Sequence, residues 1–462
     1  MSVYLGNDKV GVGYSVYDET SNLTTTFTLS NNQSSAKTTT LAFAKIDDSS
    51  PTIIKLNGVT QETINTAGNK SIQITIPQRV STTIPRVSTV EVIGGSLANI
   101  EYQTVYLTTV NLGDNVISVR TFSFTGSSLT SVNISKTVVN IENVAFNHIA
   151  GIESFVVSED NPIYDSRNNC NAVIEKSTNK LVFGCKNTVI PGTVAIIGEN
   201  AFYSRTGFSS ILLPSSIASI EDRAFFNCTN LTSINIPSSI TSIAGNAFKG
   251  CSGLETIVVN NSNKKYDSRN NCNAIIETST NKLICGCKNT TIPSSVVIIG
   301  SAFYNCTGLT SITIPNSVII IEEDAFYGCT GLTSITMSNS IEIIGNNAFY
   351  GCNNSSLTSI NLYDKLTSIG DSAFYQCNKI TTITIPSSVN YIGDSAFSYT
   401  VGGMALTSIT FMHTNLDELT MGENVFKVKS ARSMTVNYYG NTTVANYNYS
   451  GDNITATLNL LS

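Results

Sequence analysis

Leu231-Thr-Ser-Ile-Asn-Ile-Pro-Ser-Ser-Ile-Thr-Ser-Ile-Ala-Gly-Asn-Ala-Phe-Lys-Gly-Cys251 is one unit of a pattern that returns along most of the chain. Its Ala-Phe pair closes nine units, at Ala145, Ala201, Ala224, Ala247, Ala302, Ala325, Ala348, Ala373 and Ala396, and most neighbouring pairs lie 23 residues apart. A fixed period of this size is the mark of a solenoid. Each turn then buries its apolar face only against the turns on either side, so the expected product is an elongated, mainly β rod with a large regular surface.

Within the unit, Leu231, Ile234 and Ile236 supply the inward side chains of a short strand that Pro237 ends, because proline has no N–H to donate to a ladder. Ile240 and Ile243 supply a second apolar segment. Ala247, Phe248 and Cys251 fit a short helical turn in which the small alanine lets the phenylalanine pack closely.

Working outward, degenerate units begin near Tyr106, where Phe122 precedes Phe146 by 24 residues. Two longer gaps between Ala-Phe pairs hold near-identical segments, Tyr164 to Asn187 and Tyr266 to Asn289, displaced by 102 residues. In the first, Val173-Ile174 and Leu181-Val182 flank a polar Ser177-Thr-Asn-Lys180, which predicts a β-hairpin near 164–188 and its twin near 266–290. Residues 1–85 lack the repeat and alternate with period two, as in Ser71-Ile-Gln-Ile-Thr-Ile76, predicting an antiparallel, sandwich-like β module. The stretch 86–104 reads as a connector, 105–430 as the solenoid, and 431–462 as a C-terminal β cap. A separable anchor would be built this way, so the solenoid is expected to fold without residues 1–85.

The pattern Ile385-Pro-Ser-Ser-Val-Asn-Tyr-Ile-Gly-Asp-Ser-Ala-Phe397, continued elsewhere by Cys-x-x-Leu-x-x-Ile as in Ile314 to Ile335, resembles the BspA-like leucine-rich repeats. The likeness covers roughly residues 105–430. It implies a leucine-rich-repeat solenoid and a surface or extracellular binding protein, often an adhesin, with no catalytic motif to carry over. The N-terminal Val3-Tyr-Leu-Gly-Asn-Asp-Lys-Val-Gly-Val12 and the tail around Tyr438-Tyr-Gly-Asn-Thr-Thr-Val-Ala-Asn-Tyr447 resemble modules of phage structural proteins. That implies a virion setting, with the first module attaching the chain to its assembly partners.

Composition narrows the partners. Charged residues make up 13%, the net charge is -6, and no Lys/Arg run occurs, so nucleic acid is not an expected partner. No apolar stretch approaches the roughly 18 residues of a membrane helix, and the N-terminus has no signal-peptide pattern. The expected location is a virion or a cell surface.

No chemistry-bearing constellation accompanies the repeat. His148 and His413 stand alone, no nucleotide-binding glycine motif occurs, and no cofactor or metal is expected. Cys228, Cys251, Cys306, Cys329, Cys352 and Cys377 each follow their alanine by four residues and read as stacked, unpaired buried thiols. Cys170 with Cys185 and Cys272 with Cys287 keep one separation in both insertions and read either as bridges or as further stacked thiols. The candidate binding surface is Tyr203, Tyr304, Tyr327, Tyr350 and Tyr375, each directly after its Ala-Phe pair. Facing outward they would form a stripe suited to a protein or glycan ligand, and facing inward they would cover the phenylalanines. Thr232, Ser233, Thr310 and Ser311 form a second polar face. The expected function is non-enzymatic recognition or structure, with a bacterial surface adhesin as the alternative and a surface hydrolase on a repeat scaffold as a remoter one.

Overall fold

A computed structural model describes residues 24–31, 37–45, 52–57, 59–64, 66–76, 86–93, 97–101, 107–124, 126–353, 357–399, 406–413, 419–428, 431–439 and 442–461. The phage-like N-terminal stretch Val3 to Val12 lies outside them. The chain divides into two compact units, Met1–Phe226 and Asn227–Ser462.

The first unit opens with β1 (Thr24–Asn31), β2 (Lys37–Lys45), β3 (Thr52–Leu56), β4 (Val59–Ile64), β5 (Gly68–Ile76), β6 (Arg86–Ile93) and β7 (Leu97–Glu101). The first solenoid turns follow as β8 (Leu107–Leu112), β9 (Ser118–Val119), β10 (Ser131–Ile134), β11 (Asn140–Ile141) and β12 (Ser154–Val157). Two sheets run through all of them, in the orders β12-β10-β8-β1-β6-β3-β4 and β11-β9-β7-β2-β5. The solenoid strands are parallel, β8 to β10 and β10 to β12, whereas β1 joins β8 antiparallel.

Two expectations are corrected here. The supposed connector 86–104 contains β6 and β7, which pair with β1 and β2. The N-terminal module is not a separable anchor either, since β1 occupies the edge that a first solenoid strand would leave open. Its core is shared: Leu41, Ile54, Ile64 and Ile72 belong to one cluster with Leu107, Val110, Val132 and Phe146. Thr25, fully buried, accepts the Gly113 N–H and donates to Asn115 Oδ1, tying β1 to the first turn.

A third correction concerns phasing. Phe122 is 46% exposed with φ +58°, while Phe124 is buried and stacks on Phe146 at 5.1 Å. Ser123 therefore takes the alanine position, and Phe122 takes the left-handed position before it, as Asn200, Arg223 and Asp324 do in later turns. A second left-handed residue falls three places after the alanine, where Gly250, Gly328 and Gly351 meet the need without strain. Between these two points the chain makes three-residue-spaced hydrogen-bonded turns, such as Tyr327 N–H to Asp324 O.

In the first unit Ala172–Glu175 and Lys180–Gly184 form an antiparallel hairpin, and the latter strand runs parallel to Ile196–Ile197. In the second unit Ile275–Glu277 and Lys282–Cys285 repeat this arrangement beside Ile298–Ile299. The two-residue strands then continue turn by turn through Ile320–Ile321, Ile343–Ile344, Ser368–Ile369, Tyr391–Ile392 and Thr420–Met421. The C-terminal tail stacks on the last turns as a continuation of the same sheet. Arg432–Tyr438 pairs parallel to Ser408–Phe411, and Ile454–Leu460 parallel to Arg432–Tyr438, so two further solenoid turns persist after the sequence repeat has faded.

The phenylalanines of the second unit stack face to face: Phe303, Phe326, Phe349, Phe374 and Phe397 at 5.0 to 5.3 Å. Phe326 is fully buried between two such neighbours. Phe326→Ala should cost about 3 to 5 kcal/mol in chemical denaturation, since the hole cannot collapse without moving both flanking turns. A loss below about 1 kcal/mol would show the column to be dispensable.

Candidate functional site

The tyrosine that follows each Ala-Phe pair leaves the core one residue after the buried ring, on a turn held at a fixed height above its neighbour. In the second unit this brings Tyr304, Tyr327, Tyr350 and Tyr375 into a column with ring centroids 4.6 to 4.8 Å apart. All four rings are half-buried. Their faces are covered by one another, so what each presents outward is its edge and hydroxyl. Tyr203 belongs to the first unit, where it stacks on Phe226 at 4.9 Å and meets the His148 ring edge-on.

Lys249 closes one end of the column. Its Nζ lies 4.4 Å from the Tyr304 ring centroid and 2.6 Å from Asp324 Oδ2, combining a cation–π contact with an ion pair. Burial, and then the Asp324 carboxylate, raise the Tyr327 phenol above its ordinary range. Burial, reinforced by Tyr327 and Tyr375, raises Tyr350 likewise. Tyr327 and Tyr350 therefore keep their phenol protons, and each hydroxyl can donate and accept hydrogen bonds.

All eleven cysteines are buried and free. Cys329, Cys352 and Cys377 direct their thiols to the carbonyls of Phe303, Phe326 and Phe349, one turn back each time. In the insertions, Cys185 bonds to Glu153 O and Asn171 O rather than to Cys170. Desolvation pushes Cys170 up to about 11 and Cys306 up to about 12, which keeps them protonated and unreactive.

Position four after the alanine holds Arg205 instead of cysteine in one turn of the first unit. The guanidinium is fully buried, donating from Nε to Gly184 O at 3.0 Å, from Nη1 to Ile149 O at 2.8 Å and from Nη2 to Phe146 O at 2.9 Å. Its last partner is the carbonyl type that the cysteine thiols bind elsewhere. His413 is also buried, with Nε2 2.6 Å from Val389 O. Among the described residues no group of three or more His, Cys, Asp or Glu side chains is placed to hold a metal ion.

Sequence reasoning missed two polar features. Arg167 forms a bidentate pair with Asp165 and reaches Asn179, and the second insertion repeats this with Arg269, Asp267 and Asn281. These clusters tie the segment before each hairpin to the hairpin's turn. A cleft on the strand face beside residues 359–363 also escaped notice. Its one signal was unit length, 25 residues from Ala348 to Ala373 where 23 is usual.

Stacked parallel turns, each carrying one inward strand and a stacked aromatic, define a leucine-rich-repeat solenoid. The BspA type leucine-rich repeat region matches six copies over residues 96–179, 173–282, 275–403 and 353–457, and the chain belongs to that family. Such repeats are non-enzymatic scaffolds in general, and proteins that carry them are typically found at the cell surface. No curated protein matches the chain. Among solved structures, the pneumococcal vaccine antigen PcpA aligns with a TM-score of 0.51 at 16% identity, over 76% of this chain and 84% of that one. A leucine-rich cell surface protein from Faecalibacterium prausnitzii aligns at 0.44 and 22% identity, over 75% and 92%. A leucine-rich repeat protein from Eubacterium ventriosum aligns at 0.39 and 20% identity, over 58% of this chain and 63% of that one, less than two thirds of its length. The PcpA likeness supports the fold. Among the described residues no helix is long and apolar enough to cross a membrane.

Proposed function

We propose that the chain is a recognition protein of the adhesin kind, displayed at a cell surface and binding a protein or glycan partner through the solenoid. The observation that carries this reading is the tyrosine column Tyr304, Tyr327, Tyr350 and Tyr375, where the repeat sets four phenol edges side by side on half-exposed turns. Membership of a family of repeat scaffolds supports it. Tyrosine is favoured at such contacts because it adds aromatic area and a hydrogen-bonding tip at low conformational cost. Neither the family nor the solved relatives lends support to the virion setting.

The test uses Tyr327→Phe combined with Tyr350→Phe, which keeps the stack and removes only the hydroxyls. On an array of immobilised extracellular-matrix proteins and glycans, the full chain should be retained and the double variant retained at least tenfold less, with an unchanged melting temperature. Equal retention of the two would take the column out of the binding surface. No retention of the parent on any surface would defeat the recognition reading itself.

A further inference from the structure

The strand face of the second unit is interrupted at one turn. Ser311–Thr313 pairs with Ser334–Thr336, and Thr382–Ile385 begins the next sheet, but residues 357–363 between them form no strand. This is the lengthened turn, with 25 residues from Ala348 to Ala373, and it keeps one backbone contact to the following turn, Thr381 N–H donating to Thr358 O at 3.4 Å. A cleft of about 340 Å3 opens there, within the range of small-ligand sites, about 300 to 1,000 Å3.

The lining sets Ser, Thr, Asn and Tyr side chains beside the aliphatic Ile360, Leu362 and Ile383. Ser359, Asn361 and Tyr363 come from the irregular segment, and Thr382, Thr384, Ser408 and Thr410 from the sheet. No lining side chain is charged. The side chains of Ser359, Asn361, Thr382 and Thr384 make no hydrogen bond among the described residues. On the far side Asn437 Nδ2 donates to Thr410 Oγ1 at 3.2 Å and to Ser408 Oγ at 3.5 Å, and Asn437 Oδ1 accepts from Asn459 Nδ2 at 3.1 Å. That amide uses an acceptor site on each hydroxyl, which leaves each hydroxyl proton available as a donor. Tyr363 adds an aromatic ring that is 38% exposed.

We propose that this cleft binds a neutral pyranose unit of a glycan chain, a proposal that rests on the recognition reading above and gives it a ligand class. A sugar offers alternating hydroxyl donors and acceptors, and the serine, threonine and asparagine side chains supply both. Its C–H face matches the exposed ring of Tyr363. An acidic sugar would bring a charge that nothing in the lining offsets. A peptide strand adding to either sheet edge meets the protein's own segment 357–363 in that slot.

Calorimetric titration of the full chain with neutral gluco-, manno-, galacto- and N-acetylglucosamine oligosaccharides should show saturable binding to at least one series, and none to sialyllactose. Tyr363→Ala and Asn361→Ala should each weaken it at least tenfold without lowering the melting temperature. The assignment is overturned by a lack of binding to every neutral series, by preference for sialyllactose, or by affinity that survives both cleft substitutions. Tyr363-dependent binding of an extended peptide in place of sugars overturns it as well. If the cleft fails while matrix proteins are still retained through the tyrosine column, the recognition reading stands; if both fail, it falls.

Discussion

Removing residues 1–85 is expected to unfold the first unit rather than release an intact solenoid. The cut deletes β1, and with it the ladder that pairs Thr26 with Asn111 and Phe27 with Val110 along the edge of the first turn. It also strips four buried side chains, Leu41, Ile54, Ile64 and Ile72, from a core they share with that turn. At about 1.5 to 3 kcal/mol each they contribute on the order of 6 to 12 kcal/mol, comparable to the whole stability of a domain, about 5 to 15 kcal/mol. Strands β6 and β7, left behind, lose their partners in β1 and β2. In limited proteolysis the protected fragments spanning residues 107–226 should vanish, and the corresponding transition should disappear from a calorimetric scan. A truncated chain that melts with the cooperativity and temperature of the parent would restore the picture of a detachable module.

Arg205→Met should be nearly as damaging, although it conserves volume and removes no apolar contact. The substitution leaves the carbonyls of Phe146, Ile149 and Gly184 buried without the guanidinium that now donates to them. Each orphaned acceptor costs about 1 to 3 kcal/mol, so the combined loss is on the order of 5 kcal/mol, read from the urea midpoint. The three carbonyls come from one solenoid turn, that of Phe146 and Ile149, and from the inserted hairpin at Gly184, so the arginine works as a clamp across the insertion. A change smaller than about 1 kcal/mol would mean that water or a backbone shift satisfies them instead.

Much of the architecture was written in the chain. The 23-residue period, the inward Ile and Leu positions and the Ala-Phe turn define a solenoid, because a turn that cannot bury its own apolar face must stack on a copy of itself. The buried thiols at Cys329, Cys352 and Cys377 follow from the same logic, and so does the placing of the tyrosines one residue outside the core. What the sequence left undecided were the places where local pattern and stacking part company. Phe122 and Phe124 are equally good aromatic candidates in a list of residues, and only the left-handed backbone before Ser123 selects the second. The strands at 86–101 and 432–460 carry no repeat, yet they join sheets whose open edges need partners, a requirement visible only once those edges exist. The tyrosines were legible as either surface or packing, and in the structure they stack on one another with ring centroids 4.6 to 4.8 Å apart while staying half-exposed, a spacing that only the stacked turns impose. The cleft beside Tyr363 lies where residues 357–363 form no strand between two sheets, and whether a segment completes a ladder depends on the neighbouring turns, not on any one of them.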